Sequence, residues 1–268
     1  MFGSSMASIR SILSYKLETS LTDQPVLLFL HGAGLNRAMW QPVIRRLDPR
    51  WRTVAIDLPG HGALGDAGPY TLEAAAKTVA EAARALAPAR VILVGDSLGG
   101  YSALAASKLL DPAQVVGYFL GGCSQNFQGK HRRSLRLRAA LMRLLIPLFG
   151  EERLARKSAE KLVGQLPEIS KQDIDAMVSA RMRLRAFPEA VAALATADVL
   201  PLVRAISQPL VFVNGTKDEG PMEQEAAFVA AARQGSSVHF DCEHGVSLLK
   251  SAEFASALEA FALKVSAS

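Results

Sequence analysis

The 268-residue chain is long enough for one large domain, or for one core domain with an insertion, and half of its residues are hydrophobic. Its formal net charge of +5 is too small to indicate a nucleic-acid-binding protein. Its two cysteines, Cys123 and Cys242, are too few for a disulfide framework and form no metal-binding motif, so we expect both to be buried and reduced. No stretch has the length of a transmembrane helix, and residues 1–20 lack the apolar run of a signal peptide, so the sequence predicts a cytoplasmic protein.

Short apolar runs alternate along the chain with segments of helical periodicity. The predicted strands are residues 26–30, 53–56, 91–94, 115–120, 210–213 and 237–240, and residues 11–18 are a candidate antiparallel edge. The predicted helices are residues 40–47, 72–86, 99–110, 222–233 and 252–265. Continuous apolar strands indicate burial on both faces, and the alternation of strand and helix indicates a mostly parallel α/β sheet with helices on both faces.

The alternation stops between residues 124 and 209, where we find no strand pattern. We expect helices there, broken at Pro147, Pro167, Pro188 and Pro201. Ser170 and Asp173 have the spacing of a capping box, which predicts a helix that begins at Lys171. We therefore interpret residues 124–209 as a helical lid inserted into a core made of residues 1–123 and 210–268.

The segment Gly95-Asp96-Ser97-Leu98-Gly99 directly follows the predicted strand 91–94 and begins a helical pattern. This G-x-S-x-G pattern is typical of a nucleophile elbow, in which a serine lies on a sharp turn between strand and helix. The glycines suit such a crowded turn because they carry no Cβ. The alternative is a glycine-rich turn whose serine has no chemical role.

A serine hydroxyl becomes a good nucleophile when a neighbouring imidazole takes its proton. Of the five histidines, His244 lies in a loop between the last strand and the last helix, where it can reach the elbow. Asp218, in the loop after the preceding strand, is the candidate acid that orients His244. Glu219 is its main rival, and Asp241 and Glu243 are poorer candidates because they share the loop with the histidine.

The loop His31-Gly32-Ala33-Gly34 follows the first predicted strand. Backbone N–H groups at such a place can bind the oxyanion that forms when a carbonyl is attacked. We expect the His31 ring to support this loop rather than to transfer protons. His61, in the turn after the second strand, is also expected to be structural.

The order Ser97, Asp218, His244 and these motifs resemble a lid-bearing α/β-hydrolase of the serine esterase or lipase type. The motifs Asp57-Leu58-Pro59-Gly60-His61-Gly62 and Gly215-Thr216-Lys217-Asp218 also match this family. The resemblance implies that Ser97 attacks, His244 shuttles the proton and Asp218 orients it. It further implies that the N–H groups of Ala33 and Leu98 form the oxyanion hole, and that the reaction needs no cofactor or metal.

These residues favour hydrolysis of a carboxylic ester, thioester or lactone with an apolar acyl part, bound as a small molecule. The candidate substrate-binding residues are Gly32, Gly34, Phe127, Leu141 and Leu145. A C–C bond hydrolase, a cofactor-free perhydrolase and a non-catalytic ligand receptor are the alternatives. Serine, rather than aspartate, at position 97 argues against C–halogen and epoxide chemistry.

The predicted lid is basic, with 14 Lys and Arg against 6 Asp and Glu between residues 130 and 185. In a helix over residues 132–149, Arg132, Arg136 and Arg143 share one face, opposite a row of leucines. Such a helix fits contact with an anionic membrane surface. It equally fits an ordinary lid helix with its leucines on an acyl pocket and its arginines in water.

Overall fold

The computed structural model describes residues 24–127, 129–151, 153–157, 166 and 168–267. Its strands are β1 (Val26–Leu30), β2 (Thr53–Ile56), β3 (Val91–Asp96), β4 (Val115–Gly121), β5 (Leu210–Gly215) and β6 (Gly235–Phe240). They form one sheet in the order β2-β1-β3-β4-β5-β6, and every neighbouring pair is parallel. The parallel α/β sheet is therefore confirmed, whereas the candidate edge at residues 11–18 lies outside the described residues.

The main helices of the sheet follow the strands in chain order. They are α1 (Gln41–Ile44), α2 (Leu72–Ala85) and α3 (Leu98–Ala106), and, after β5, α8 (Glu219–Ala231), α9 (Val246–Leu249) and α10 (Ser251–Ser266). A short 3₁₀ helix, Arg37–Trp40, precedes α1 and occupies part of the segment predicted as a single helix over 40–47. Pro42 lies at the start of α1, where its missing N–H costs no helical hydrogen bond.

Two apolar cores cover the two faces of the sheet. Leu28 and Leu30 of β1 point into a core that includes residues of α2, α3 and α8. Leu27 and Phe29 point to the opposite core, which includes residues of α1 and α10. This alternation buries both faces of the strand, as its unbroken apolar sequence predicts. Cys123 and Cys242 are buried, one in each core, and both are free thiols.

Between β4 and β5 the described residues contain helices and no strand. These are α4 (Gly129–Phe149), α5 (Lys171–Ser179), α6 (Ala186–Leu194) and α7 (Leu200–Ala205). The Ser170–Asp173 capping box is confirmed at the start of α5. The prolines do not break helices as expected: Pro147 lies within the last turn of α4, and Pro188 and Pro201 lie in first turns. Proline is tolerated in the first turn of a helix because the backbone N–H groups of that turn have no helical partner. Pro167 lies outside the described residues.

The orientation of α4 differs from that of an ordinary lid helix with its leucines on an acyl pocket. Ala139 is buried, and Arg132 and Arg143 donate hydrogen bonds to the carbonyls of Ala195 and Pro188 at α6. The predicted leucine face instead points to solvent. Within the described part of the chain, no helix combines the length and apolarity needed to cross a bilayer.

Candidate active site

Ser97 lies at the turn between β3 and α3 with φ +51° and ψ −112°, a conformation that non-glycine residues rarely adopt. Its N–H donates a 2.7 Å hydrogen bond to the carbonyl of Gly121 at the end of β4. The glycines make the turn possible: a Cβ at Gly99 would lie 2.0 Å from the Leu30 carbonyl oxygen, and one at Gly95 would lie 2.6 Å from the Gly100 nitrogen. The serine is therefore held at the carboxyl edge of the sheet.

The loops after β5 and β6 bring an acid and an imidazole to this serine. His244 Nε2 lies 2.9 Å from Ser97 Oγ, and His244 Nδ1 lies 2.5 Å from Asp218 Oδ2. Asp218 directly precedes α8, but its side chain does not cap that helix and is used for the histidine instead. The structure thus joins the three sequence-predicted residues in one hydrogen-bonded chain that runs from carboxylate to hydroxyl.

The rival carboxylates lie elsewhere. Glu219 is exposed in the first turn of α8, and Asp241 forms an ion pair with Lys217 at 2.9 Å. Glu243 is exposed in the histidine loop. Among the residues that the structure describes, Asp218 supplies the carboxylate bonded to the His244 ring.

The pKa of His244 is raised above its ordinary value of 6.5. Burial opposes protonation of the ring and lowers its pKa. The hydrogen bond and the negative charge of Asp218 outweigh that effect, and the negative charge of Asp96 raises the pKa further. The guanidinium of Arg138 on α4 lies close enough to act in the opposite direction. A ring poised in this way is suited to exchange a proton with Ser97 near neutral pH.

The loop after β1 presents a distinct set of N–H groups beside the elbow. The Gly32 N–H donates to Met39 Sδ at 3.3 Å, and the Gly34 N–H donates to His61 Nε2 at 3.1 Å. Within the described part of the chain, the N–H groups of Ala33 and Leu98 have no hydrogen-bond acceptor. A Cβ at Gly32 would lie 3.9 Å from the Ser97 Cβ, which shows how closely this loop approaches the serine.

His31 and His61 are both fully buried and hold this loop in place. His31 Nδ1 donates to the Gly32 carbonyl, and its Nε2 accepts from the Leu58 N–H. His61 Nδ1 donates to the Pro59 carbonyl while its Nε2 accepts from Gly34. Burial lowers the pKa of both rings, that of His61 to about 3, so both are neutral supports.

Sequence reasoning missed several residues beneath His244. Asp96 is buried, accepts a 2.7 Å hydrogen bond from Ser247, and has its pKa raised by burial. A Cβ at Gly122 would lie 3.0 Å from the His244 ring, so this glycine leaves room for the imidazole. The signal for Asp96 was its place in the G-x-S-x-G segment. In the described part of the chain, no three His, Cys, Asp or Glu side chains are grouped so as to hold a metal ion.

The candidate substrate-binding residues are not gathered at one place. Phe127 is half-buried and contacts the ring of Tyr101, with centroids 5.8 Å apart. Leu145 is half-buried on α4. Leu141 is 53% exposed on α4, and its role in substrate binding stays a prediction. The backbone N–H groups of Gly32 and Gly34 are already bonded within the chain.

Residues 27–257 match the model of the alpha/beta hydrolase family. Over 214 residues the chain is 31% identical to a pimeloyl-[acyl-carrier protein] methyl ester esterase of Neisseria meningitidis serogroup C, covering 70% of this chain and 73% of that protein. An esterase of the same name from Vibrio vulnificus is 43% identical over 76 residues, which span 28% of either chain. The extent of the match therefore varies between relatives, from about a quarter to about three quarters of their length.

The structure is also similar to that of a thermophilic esterase from Thermogutta terrifontis, with a TM-score of 0.67 and 26% identity over 90% of each chain. The family match, the sequence relatives and the parallel sheet all indicate the same family. We conclude that the chain is a hydrolase that belongs to the alpha/beta hydrolase family.

Proposed function

We propose that the protein is a serine hydrolase that cleaves a carboxylic ester through a covalent acyl-enzyme. The observation that carries the proposal is the chain of contacts from Asp218 through His244 to Ser97, with distances of 2.5 and 2.9 Å. This is the arrangement that acyl transfer requires, with a nucleophile, a base in contact with it and an acid that orients the base.

In the proposed acylation step, Ser97 Oγ attacks the ester carbonyl carbon and His244 Nε2 takes the hydroxyl proton. The carbonyl oxygen becomes an oxyanion, and the N–H groups of Ala33 and Leu98 donate to it, because they are unoccupied within the described chain. The tetrahedral intermediate then expels the alcohol, which receives the proton from His244. Asp218 stabilises the imidazolium during this step.

Deacylation uses the same groups in the reverse sense. His244 takes a proton from a water molecule, which attacks the acyl carbon, and the new oxyanion again accepts from Ala33 and Leu98. The bond between Ser97 Oγ and the acyl carbon then breaks, and His244 returns the proton to Ser97 Oγ. The products are one carboxylic acid and one alcohol, and the sequence of steps needs no cofactor.

We propose an ester with an apolar acyl part as the substrate class, because Phe127 in the loop after β4 and Leu145 on α4 are half-buried apolar side chains. The relatives in Neisseria meningitidis and Vibrio vulnificus are named for a methyl ester of an acyl chain on a carrier protein. A methyl ester of a medium-length acyl chain is therefore the first substrate to assay, with thioesters and lactones as comparisons.

The test combines a fluorophosphonate probe with p-nitrophenyl and methyl esters of graded acyl length. We expect the probe to label the wild-type protein and not Ser97→Ala, and we expect hydrolysis to require Ser97. The proposal fails if the wild-type protein neither labels nor hydrolyses any ester. A vinylogous diketone and a peroxide-dependent halide assay test the C–C hydrolase and perhydrolase alternatives.

A further inference from the structure

The outer side of α4 carries a row of exposed leucines. Leu137, Leu141, Leu144 and Leu148 are 72%, 53%, 62% and 69% exposed, and Phe149 at the end of the helix is 52% exposed. The four leucines recur at intervals of four, three and four residues, so they form one straight stripe about 16 Å long. Exposed apolar side chains that are concentrated in this way mark an interaction surface.

The concentration on one helix is not explained by the protein's own packing. Among the described residues, seven large apolar side chains are strongly exposed, and five of them belong to α4. The opposite side of the same helix already supplies the contact with the body of the protein, through buried Ala139 and the hydrogen bonds of Arg132 and Arg143 to α6. The leucine stripe therefore does not contribute to the contacts that hold α4 on the body of the protein.

The charge of α4 indicates what binds the stripe. Residues 129–149 contain six Lys and Arg and no Asp or Glu. Arg136 and Arg138 are exposed, and helical geometry places them on opposite flanks of the leucine row, with Arg133 near its N-terminal end. Long arginine side chains on both flanks can reach a plane of phosphate groups while the leucines enter the apolar layer below it.

We propose that α4 is a docking helix for an anionic lipid bilayer, with the stripe Leu137, Leu141, Leu144 and Leu148 inserted at the interface and arginines bound to lipid phosphates. Two copies of the chain would pair this stripe poorly, because exposed Arg133, Arg136 and Arg138 of one helix would lie near those of the other. The helix lies along the surface and does not span the bilayer. The docking proposal does not require the chemistry proposed at Ser97.

The first experiment is flotation with vesicles of phosphatidylcholine alone and with half phosphatidylglycerol. We expect binding to the anionic vesicles that weakens with salt, and little binding to the neutral ones. The double variant Leu137→Ser/Leu144→Ser removes two exposed leucines and is expected to weaken binding by at least tenfold. Leu263→Ser is the matched control, because Leu263 is 58% exposed on α10, and its binding is expected to equal wild type.

A second reporter distinguishes insertion from a purely electrostatic contact. Trp40 and Trp51 are both buried. Among the described residues, a tryptophan introduced by Leu144→Trp is therefore the only tryptophan that lipid could reach. We expect brominated phosphatidylglycerol to quench this tryptophan and to leave the fluorescence of the wild-type protein unchanged. Absence of quenching in bound protein contradicts insertion of the stripe.

Three further results would overturn the proposal. They are no flotation with anionic vesicles at low salt, equal flotation of the leucine variant and wild type, and binding of α4 to an acidic protein or a second copy in place of lipid. Hydrolysis of a soluble ester is measured in parallel on every variant. Retained hydrolysis in the leucine variant shows that it is folded, and retained flotation of Ser97→Ala separates docking from catalysis.

Discussion

At the scale of single residues, the contact between Ser97 and His244 leads to a non-additive prediction. We expect Ser97→Ala and His244→Ala each to reduce ester turnover by about 10⁶-fold, and the double variant to lose no more, because the two act as one unit. Steady-state kinetics with p-nitrophenyl esters provide the measurement. Ser107→Ala is the control, since the Ser107 hydroxyl bonds locally to the Leu104 carbonyl. If the loss of turnover in the double variant equals the product of the two single losses, Ser97 and His244 do not act as one unit.

The acid is tested by a matched pair of neighbouring substitutions. We expect Asp218→Asn to reduce turnover by about 10⁴-fold, as loss of the orienting carboxylate does in a Ser-His-Asp enzyme. Glu219→Gln removes an exposed carboxylate one residue away and is expected to leave turnover close to wild type. The assignment of Asp218 is wrong if the glutamate variant is the severe one.

The raised pKa of His244 gives the pH dependence its sign. The neutral ring is the base, so kcat/KM falls as the pH drops through the pKa of His244, which lies above 6.5. Asp218 raises that pKa, so the acid limb of the profile is expected to shift to lower pH in Asp218→Asn. A limb that does not move between the two proteins would mean that another group controls it.

Much of the candidate site was predictable from local signals. Ser97, Asp218 and His244 all lie in loops that follow predicted strands, and parallel strands bring such loops to the carboxyl edge of the sheet. The carboxylate Asp96 was not assigned a role, because its burial against Ser247 depends on a residue 151 positions away in the chain. Periodicity also separates the two faces of α4, but it does not indicate which of them meets the body of the protein.

At the scale of elements, the elbow between β3 and α3 depends on close approach of the backbone. We expect Gly99→Ala to lower the free energy of unfolding by about 3 kcal/mol or more, since its Cβ would overlap the carbonyl of Leu30. Gly32→Ala is the control: its Cβ would have ordinary contacts of 3.8 to 3.9 Å, so we expect a change within about 1 kcal/mol. Denaturant midpoints at constant slope measure both. A mild Gly99→Ala variant would show that the elbow relaxes.

Strand positions were predictable to within two residues, because five of the six strands contain a run of apolar residues; β6 (Gly235–Phe240) is mostly polar and begins two residues before the predicted 237. Helix ends and prolines were harder. The rule that proline breaks helices ignores position, and Pro188 and Pro201 occupy first turns where no helical hydrogen bond is lost. In an ordinary lid helix the arginines of α4 would lie in water, yet Arg132 and Arg143 bond to carbonyls at α6, which no local pattern encodes. Whether residues 124–209 act as a lid stays a prediction.

At the scale of the whole molecule, the neutral buried histidines tie stability to pH. The pKa of His61 is about 3 in the folded protein and about 6.5 when unfolded, so the unfolded state binds more protons between these values. Its contribution is fully present above pH 6.5 and is lost as the pH falls, at about 1.4 kcal/mol per pH unit. We expect His61→Gln to reduce the slope of unfolding free energy against pH by that amount between pH 6 and 4.5. An unchanged slope would contradict a neutral His61.

The place of the helical segment between β4 and β5 has a consequence for how the molecule diverges. These two strands are parallel neighbours in the sheet, with Tyr118 beside Leu210, so the segment leaves the sheet at the carboxyl end of β4 and re-enters it at the amino end of β5. The described part of this segment adds no strand to the sheet, whereas Ser97, Asp218 and His244 lie just beyond the carboxyl ends of β3, β5 and β6. A change in the length or sequence of this segment can therefore leave the contacts among these three residues intact.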